Sequence, residues 1–122
     1  MKLPHQHGEE EKAQNISECI KQDEGFSLAA DVFKQLGDSS RLKIFSLLCR
    51  CEECVINIAY LVNMTPPAVS HHLKQLKSGG LIVSRRSGKE VFYKASNSKQ
   101  SRLLQQTIEQ IIELLLPKIN NP

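Results

Sequence analysis

The feature of this sequence that most constrains its fold is the order of signals between Cys54 and Ala95. Val55, Ile58, Ala59 and Val62 recur at helical spacing and predict a short helix from about Cys54 to Val62. Asn63-Met64 makes a turn, and Thr65 before Pro66-Pro67 marks a new helix start. The residue before a proline is held extended, while proline's fixed φ suits the first helical turn. That helix runs to about Ser78 with Val69, Leu73 and Leu76 on one side, and it stops at Gly79-Gly80. Two short β runs follow, Leu81–Ser84 and Val91–Ala95, flanking the turn Arg85-Arg86-Ser87-Gly88-Lys89-Glu90. Helix, tight turn, helix and β-hairpin is the order of a winged helix-turn-helix. The expected fold class is therefore mainly α with a small β-hairpin.

The rest of the chain frames this block. Residues 1–24 hold six acidic side chains against Lys2, Lys12 and Lys21, a net of −3, and only Ile16 and Ile20 repeat at helical spacing. They are expected to form an acidic, mobile N-terminal arm with room for one short helix, ahead of a single domain over 25–122. From Ser27 the pattern tightens: Leu28, Val32, Phe33 and Leu36 share a helical face, and Gly37 supplies a stop. Asp38 or Ser39 can cap the next helix, whose Leu42, Phe45 and Leu48 or Cys49 are expected to face the core. The last helix starts near Lys99, carries Leu104, Ile108, Ile111, Ile112 and Leu115, and is ended by Pro117. Its stripe is too rich in Leu and Ile to face water, which points to a partner subunit.

The formal charge of +3 over 122 residues is mild, but its distribution is not. Between Thr65 and Lys94 six positive residues (Lys74, Lys77, Arg85, Arg86, Lys89 and Lys94) face Glu90 alone, a net of +5. The positives fall on the second helix of the turn motif and on the hairpin tip, the two elements a winged helix brings to DNA. The N-terminus has no signal-peptide run and no stretch approaches a membrane span, so a soluble, cytoplasmic protein is expected. In a reducing compartment the four cysteines are better read as metal ligands or redox groups than as disulfides. There is no glycine-rich phosphate loop and no separable nucleophile set, so no enzyme is expected.

The segment Leu36-Gly37-Asp38-Ser39-Ser40-Arg41-Leu42-Lys43-Ile44 through Leu48 resembles the opening of the ArsR/SmtB family of metal-responsive repressors. So do Pro67-Ala68-Val69-Ser70-His71-His72-Leu73-Lys74-Gln75-Leu76, Gly80-Leu81-Ile82 and Arg86-Ser87-Gly88-Lys89-Glu90-Val91-Phe92-Tyr93. The resemblance covers roughly residues 28–116. It implies a winged-helix homodimer, paired through its first and last helices, that represses its operon and lets go when an inducer binds. The residues agree. With Val69, Leu73 and Leu76 inward, Ala68, Ser70, His71, Lys74 and Gln75 lie on or near the outer face, behind Thr65 and Pro67 at the helix start. Ser, His and Gln suit base edges and Lys74 suits phosphate. Arg85, Arg86 and Lys89 suit a neighbouring groove or backbone. Arg41 suits a phosphate contact or, equally, an internal salt bridge. His71 and His72 point about 100° apart on a helix and do not easily share a metal.

Two inducer sites implied by the family are tested residue by residue. At the last helix the matching positions are Asn97, Lys99, Gln110 and Glu113, a poor donor set for a soft metal. At the third helix Cys54 matches the first family cysteine, but Ile56 and Asn57 stand where a second cysteine and an aspartate are usual. Cys49 and Cys51 lie just upstream, giving C-x-C-x-x-C. Three thiolates so close can converge on arsenic(III), antimony(III), cadmium, lead or zinc. Some relatives add a cysteine from the partner's arm, a place Cys19 fits, with His5 or His7. No ion is needed for DNA binding in this reading. Other readings of the same atoms stand beside it. Cys49 suits a small buried hydrophobe, and His5 and His7 suit solvent. Cys49 or Cys51 suits a redox pair with Cys54 or Cys19, activated by Arg50 and opposed by Glu52 and Glu53. A DNA-binding protein without an inducer is the third alternative.

Overall fold

A computed structural model describes residues 2–116. The elements are α1 (Glu10–Ile20), α2 (Asp23–Leu36), α3 (Ser39–Leu48), β1 (Glu53–Cys54), α4 (Val55–Val62), α5 (Pro66–Ser78), β2 (Ile82–Ser87), β3 (Glu90–Ala95) and α6 (Lys99–Leu115). The chain divides into two compact units, Met1–Lys34 and Gln35–Pro122.

In the first unit, α1 opens on Glu10 and Glu11, and α2 on Asp23 and Glu24. Acidic side chains in a first turn complement the positive end of the helix dipole. That is why α2 begins at Asp23, four residues before the start expected at Ser27. Neither helix has a buried residue. The apolar face expected on α2 is only partly covered: Leu36, which with Gln35 falls in the second unit, packs on the core there, while Leu28 and Phe33 are 62% and 73% exposed. Periodicity groups these side chains on one face but does not say what covers it.

The second unit holds the core: Ile44, Phe45 and Leu48 of α3, Ile58 and Ala59 of α4, Val69, Leu73 and Leu76 of α5, Leu81 and Ile82 at the wing's base, and Ile108 of α6. Asp38 caps α3, its carboxylate accepting from the Arg41 backbone N–H at 2.9 Å. On α3 Ile44 rather than Leu42 is fully buried, and Leu42 and Cys49 are half-buried. α4 ends on Asn63 in the left-handed region at φ 56°, a conformation asparagine tolerates. Thr65 then caps α5, accepting from the Ala68 N–H at 3.3 Å.

The β structure exceeds the expected hairpin. Glu53 and Cys54 form a third strand rather than the first helical turn, pairing antiparallel with β3 in the register Glu53↔Tyr93 and Cys54↔Phe92. The sheet order is β1-β3-β2. A two-residue strand has no periodicity to betray it; only β3 as a template reveals it. Arg85, Arg86 and Ser87 belong to β2, so the expected six-residue turn shrinks to Gly88-Lys89 between the paired Ser87 and Glu90. Gly88 sits at φ 64°, where glycine carries no Cβ penalty.

Along α6, Ile108 is buried and Leu104 half-buried. Leu103, Ile111, Ile112, Leu114 and Leu115 are exposed. Pro117 lies outside the described residues. No helix among the described residues is long and apolar enough to cross a membrane.

Candidate nucleic-acid interface and thiol segment

The rotation of α5 is fixed by Val69, Leu73 and Leu76, none more than 1% exposed. That burial turns Pro67, Ser70, His71, Lys74 and Gln75 outward, while Ala68 is half-buried. Thr65, one of the expected DNA-facing residues, spends its hydroxyl on the cap. The neighbouring His72 is internal. Its Nδ1 accepts from the Arg41 Nε at 3.3 Å, and its Nε2 lies 4.0 Å from an Asp38 carboxylate oxygen. Burial holds its pKa below the ordinary 6.5, against the opposing pull of Asp38. Arg41 also donates from Nη1 to the Gln35 carbonyl at 3.1 Å. Of its two expected roles the internal one is populated, fastening α3 to α5, although the partner is a neutral histidine and a carbonyl rather than a carboxylate.

The wing cations divide into two kinds. Arg86 and Lys89 are exposed and form no ion pair among the described residues. Arg85 instead grips Glu52: its Nε lies 3.0 Å from both carboxylate oxygens and its Nη2 2.6 Å from one of them. Its guanidinium carbon stands 5.0 Å from the centre of the Phe92 ring. The arginine holds the Glu52 carboxyl below the usual carboxylate range. Lys77 donates to the Ser84 hydroxyl at 2.8 Å, joining α5 to β2.

Sequence reasoning missed the residues that seat the wing. Ser96, Ser98 and Ser101 form one hydroxyl cluster where β3 enters α6. Ser98 caps α6 by accepting from the Ser101 N–H at 3.1 Å. The Ser101 hydroxyl, in a residue 2% exposed, donates to the Leu81 carbonyl at 3.1 Å. Ser96 donates to the Gly80 carbonyl at 3.0 Å and lies 2.7 Å from Ser101 Oγ. The cap was legible as a serine immediately before the helix start at Lys99; the burial was not.

Within the second unit, Cys49, Cys51 and Cys54 do not gather into a group that could hold a metal ion. All four cysteines are free. Cys49, at the end of α3, is half-buried, and desolvation helped by Glu109 pushes its thiol up to about 11. Cys51 is exposed, its S–H 3.5 Å from the Leu47 carbonyl. Cys54 is buried on β1, immediately before α4. Cys19 is exposed on α1, in the first unit, as are His5 and His7, whose rings stack at 6.0 Å. Among the described residues no three His, Cys, Asp or Glu side chains are placed to hold a metal ion. The donor chemistry fits a thiophilic ion, but the geometry of this conformation does not. A cavity of about 400 Å³ opens beside Cys49, Arg50, Cys51 and Glu52, walled by Lys94 and by Arg102 of α6. Of the expected poor donors, Asn97 accepts from Arg102 at 2.8 Å, and Lys99, Gln110 and Glu113 are exposed.

Comparison with known proteins agrees with this architecture. Residues 38–84 match the family described as bacterial regulatory protein, arsR family. A transcriptional repressor SmtB homolog from Synechocystis sp. is 34% identical over 84 residues, covering 69% of this chain and 64% of that protein. An arsenic resistance transcriptional regulator, ArsR2, from Pseudomonas putida is 35% identical over 83 residues, covering 65% and 72%. Among solved structures, a homodimeric winged helix-turn-helix DNA-binding domain from Mycobacterium bovis, a possible ArsR-family regulator, superposes with a TM-score of 0.68. It is 25% identical and covers 93% of this chain and 94% of that one.

Proposed function

The chain belongs to the arsR family of bacterial regulatory proteins, and from that premise we propose that it is a homodimeric transcriptional repressor whose hold on operator DNA is loosened by a thiophilic ion. One observation carries the DNA-binding part. The exposed face of α5, with Ser70, His71, Lys74 and Gln75, lies in the same winged unit as two uncommitted cations, Arg86 and Lys89. Two such units on one dimer read successive major grooves of a roughly palindromic site. The exposed apolar stripe of α6 supports pairing through that helix, and the first helix of each subunit joins it in this reading.

The effector is placed on the segment from Cys49 to Cys54. Relatives named for arsenic resistance support a soft ion; arsenic(III), antimony(III), cadmium, lead and zinc share the preference for sulfur. Burial disfavours Cys49 as a ligand, because it pushes the thiol up to about 11 and so raises the cost of forming its thiolate. Cys51 and Cys54 are the primary ligands, completed by Cys49 on deprotonation or by Cys19 of an arm. A ligand shifts an equilibrium only through differential affinity for its states. A site that is not gathered in this conformation has such a difference by construction. Gathering Cys51 toward Cys54 displaces the lead-in to α4, the helix packed against α5. A coupling of ~1–3 kcal/mol corresponds to roughly 5–150-fold weaker operator binding.

The test is fluorescence anisotropy of the reduced protein on DNA from upstream of its own gene, with arsenite, cadmium, lead and zinc added singly and then an oxidant. Release by one ion, reversed by a chelating dithiol and absent in Cys54→Ser with apo binding intact, is the expected result. A Cys54→Ser protein that still responds fully to the ion removes the assigned site. Release by oxidant alone moves the thiols to redox sensing.

A further inference from the structure

Three wing cations lie within five residues, yet the fold uses them differently. Arg85 is engaged from two sides, by the forked bonds to Glu52 and by the face of Phe92. Phe92 is the register partner of both Cys54 on β1 and Arg85 on β2. Cys54, Phe92 and Arg85 therefore form one row across the sheet, and Glu52, two residues before Cys54, closes over it. The pair lies at the surface, with the Arg85 side chain 55% and the Glu52 side chain 26% exposed, but its bonding is bidentate, the geometry that distinguishes an arginine fork from a lysine contact. Arg86 and Lys89 have no such commitment.

We infer that Arg85 is not one of the wing's DNA-contacting cations but a positioning residue, and that the Glu52–Arg85 fork is the link by which movement of the Cys51–Cys54 segment reaches the wing. This rests on the reading above, in which the wing meets DNA and the thiol segment receives the ion. The carboxylate pairs with Arg85 and ties β2 to the segment that leads into β1, across the intervening β3. When Cys51 and Cys54 are drawn together, the residues between them turn, and Glu52 must release or drag the arginine. The sheet then carries an event at the thiols to Arg86 and Lys89 directly, alongside the route through α4 and α5.

The test uses the full-length reduced protein and DNA from upstream of its own gene. Salt dependence of binding is measured for Arg85→Gln, Arg86→Gln and Lys89→Gln. The last two are expected to lower the slope of log affinity against log salt by about 1 each, as for lost phosphate contacts. Arg85→Gln leaves the slope unchanged and lowers affinity by a similar factor at every salt concentration. A slope drop of about 1 for Arg85→Gln overturns the assignment; absence of DNA binding by the wild type overturns both it and the DNA reading. For the link, cadmium is the probe, and its thiolate charge-transfer absorbance reports binding independently of DNA. Glu52→Gln keeps the absorbance but reduces the cadmium-induced loss of DNA affinity at least fivefold, within the roughly 5–150-fold range of such couplings. The reversed pair, Glu52→Arg with Arg85→Glu, restores part of it. An undiminished loss in Glu52→Gln overturns the link. Cadmium absorbance without loss of DNA affinity in the wild type overturns the effector reading and the link together, while the slope result for Arg85 still decides its role.

Discussion

Replacing Ser101 by alanine probes the seam that seats the wing on the last helix. The hydroxyl is buried, donates to the Leu81 carbonyl at 3.1 Å and lies 2.7 Å from Ser96 Oγ. Removing it orphans no partner. The Leu81 carbonyl still accepts from the Ser96 N–H at 2.9 Å, and the Ser96 hydroxyl still reaches the Gly80 carbonyl at 3.0 Å. The loss is therefore the net worth of a satisfied hydrogen bond, about 1 kcal/mol, rather than the larger penalty of a buried group left unpaired. Alanine's better helix propensity offsets a few tenths of a kcal/mol of this, so the expected cost is roughly 0.5–1 kcal/mol. Urea unfolding followed by circular dichroism reads it, with both proteins at one concentration because dimerisation is linked to stability. With a slope of about 2 kcal/mol per molar urea, the midpoint falls by roughly 0.3–0.5 M. Ser101→Val, which forces extra methyls into the closed seam, costs about 1–3 kcal/mol. A midpoint loss beyond about 1 M for alanine, or a valine variant as stable as wild type, refutes the reasoning.

Three further outcomes follow from the same geometry. The fold holds His72 neutral, because its Nδ1 must accept from Arg41 and burial depresses its pKa. Its contribution to stability is present above the ordinary value of 6.5 and is lost as pH falls from there through the lower folded value. His72→Gln should flatten the pH profile of thermal unfolding over that window, and an unchanged profile assigns the dependence elsewhere. With its thiol pushed up to about 11, Cys49 should be alkylated well after Cys51 near neutral pH and catch up only as pH approaches that value. Peptide mass mapping after timed iodoacetamide treatment measures the order, and Cys49 reacting first contradicts the burial account. Ile111→Glu and Ile112→Glu, on the exposed stripe of α6, should shift sedimentation from dimer to monomer while leaving far-ultraviolet circular dichroism near that of wild type. A variant that still sediments as a dimer puts the contact on another face.

Apart from β1, the order of elements from α3 to α6 was legible in the sequence because its causes are local. Apolar spacing fixed the inward faces of α4 and α5, Thr65-Pro66-Pro67 set the start of α5, and Gly88 supplied the wing's tight turn. With Val69, Leu73 and Leu76 turned in, the exposure of Ser70, His71, Lys74 and Gln75 followed from helical geometry alone. What the tertiary structure decided is which side chains are spent on one another. Arg85 and Glu52 are 33 residues apart, and Arg41 and His72 are 31 apart. Basic composition gave no sign that Arg85 and Arg41 are committed while Arg86 and Lys89 are free. The two-residue β1 exists only because β3 lies alongside it, and the spacing of three cysteines could not show that a helix end, a loop and a strand hold them apart. Local periodicity and capping act through neighbouring backbone groups. Partnership between distant charges, hydroxyls and thiols depends on the register and packing of whole elements, which no single stretch of the chain encodes by itself.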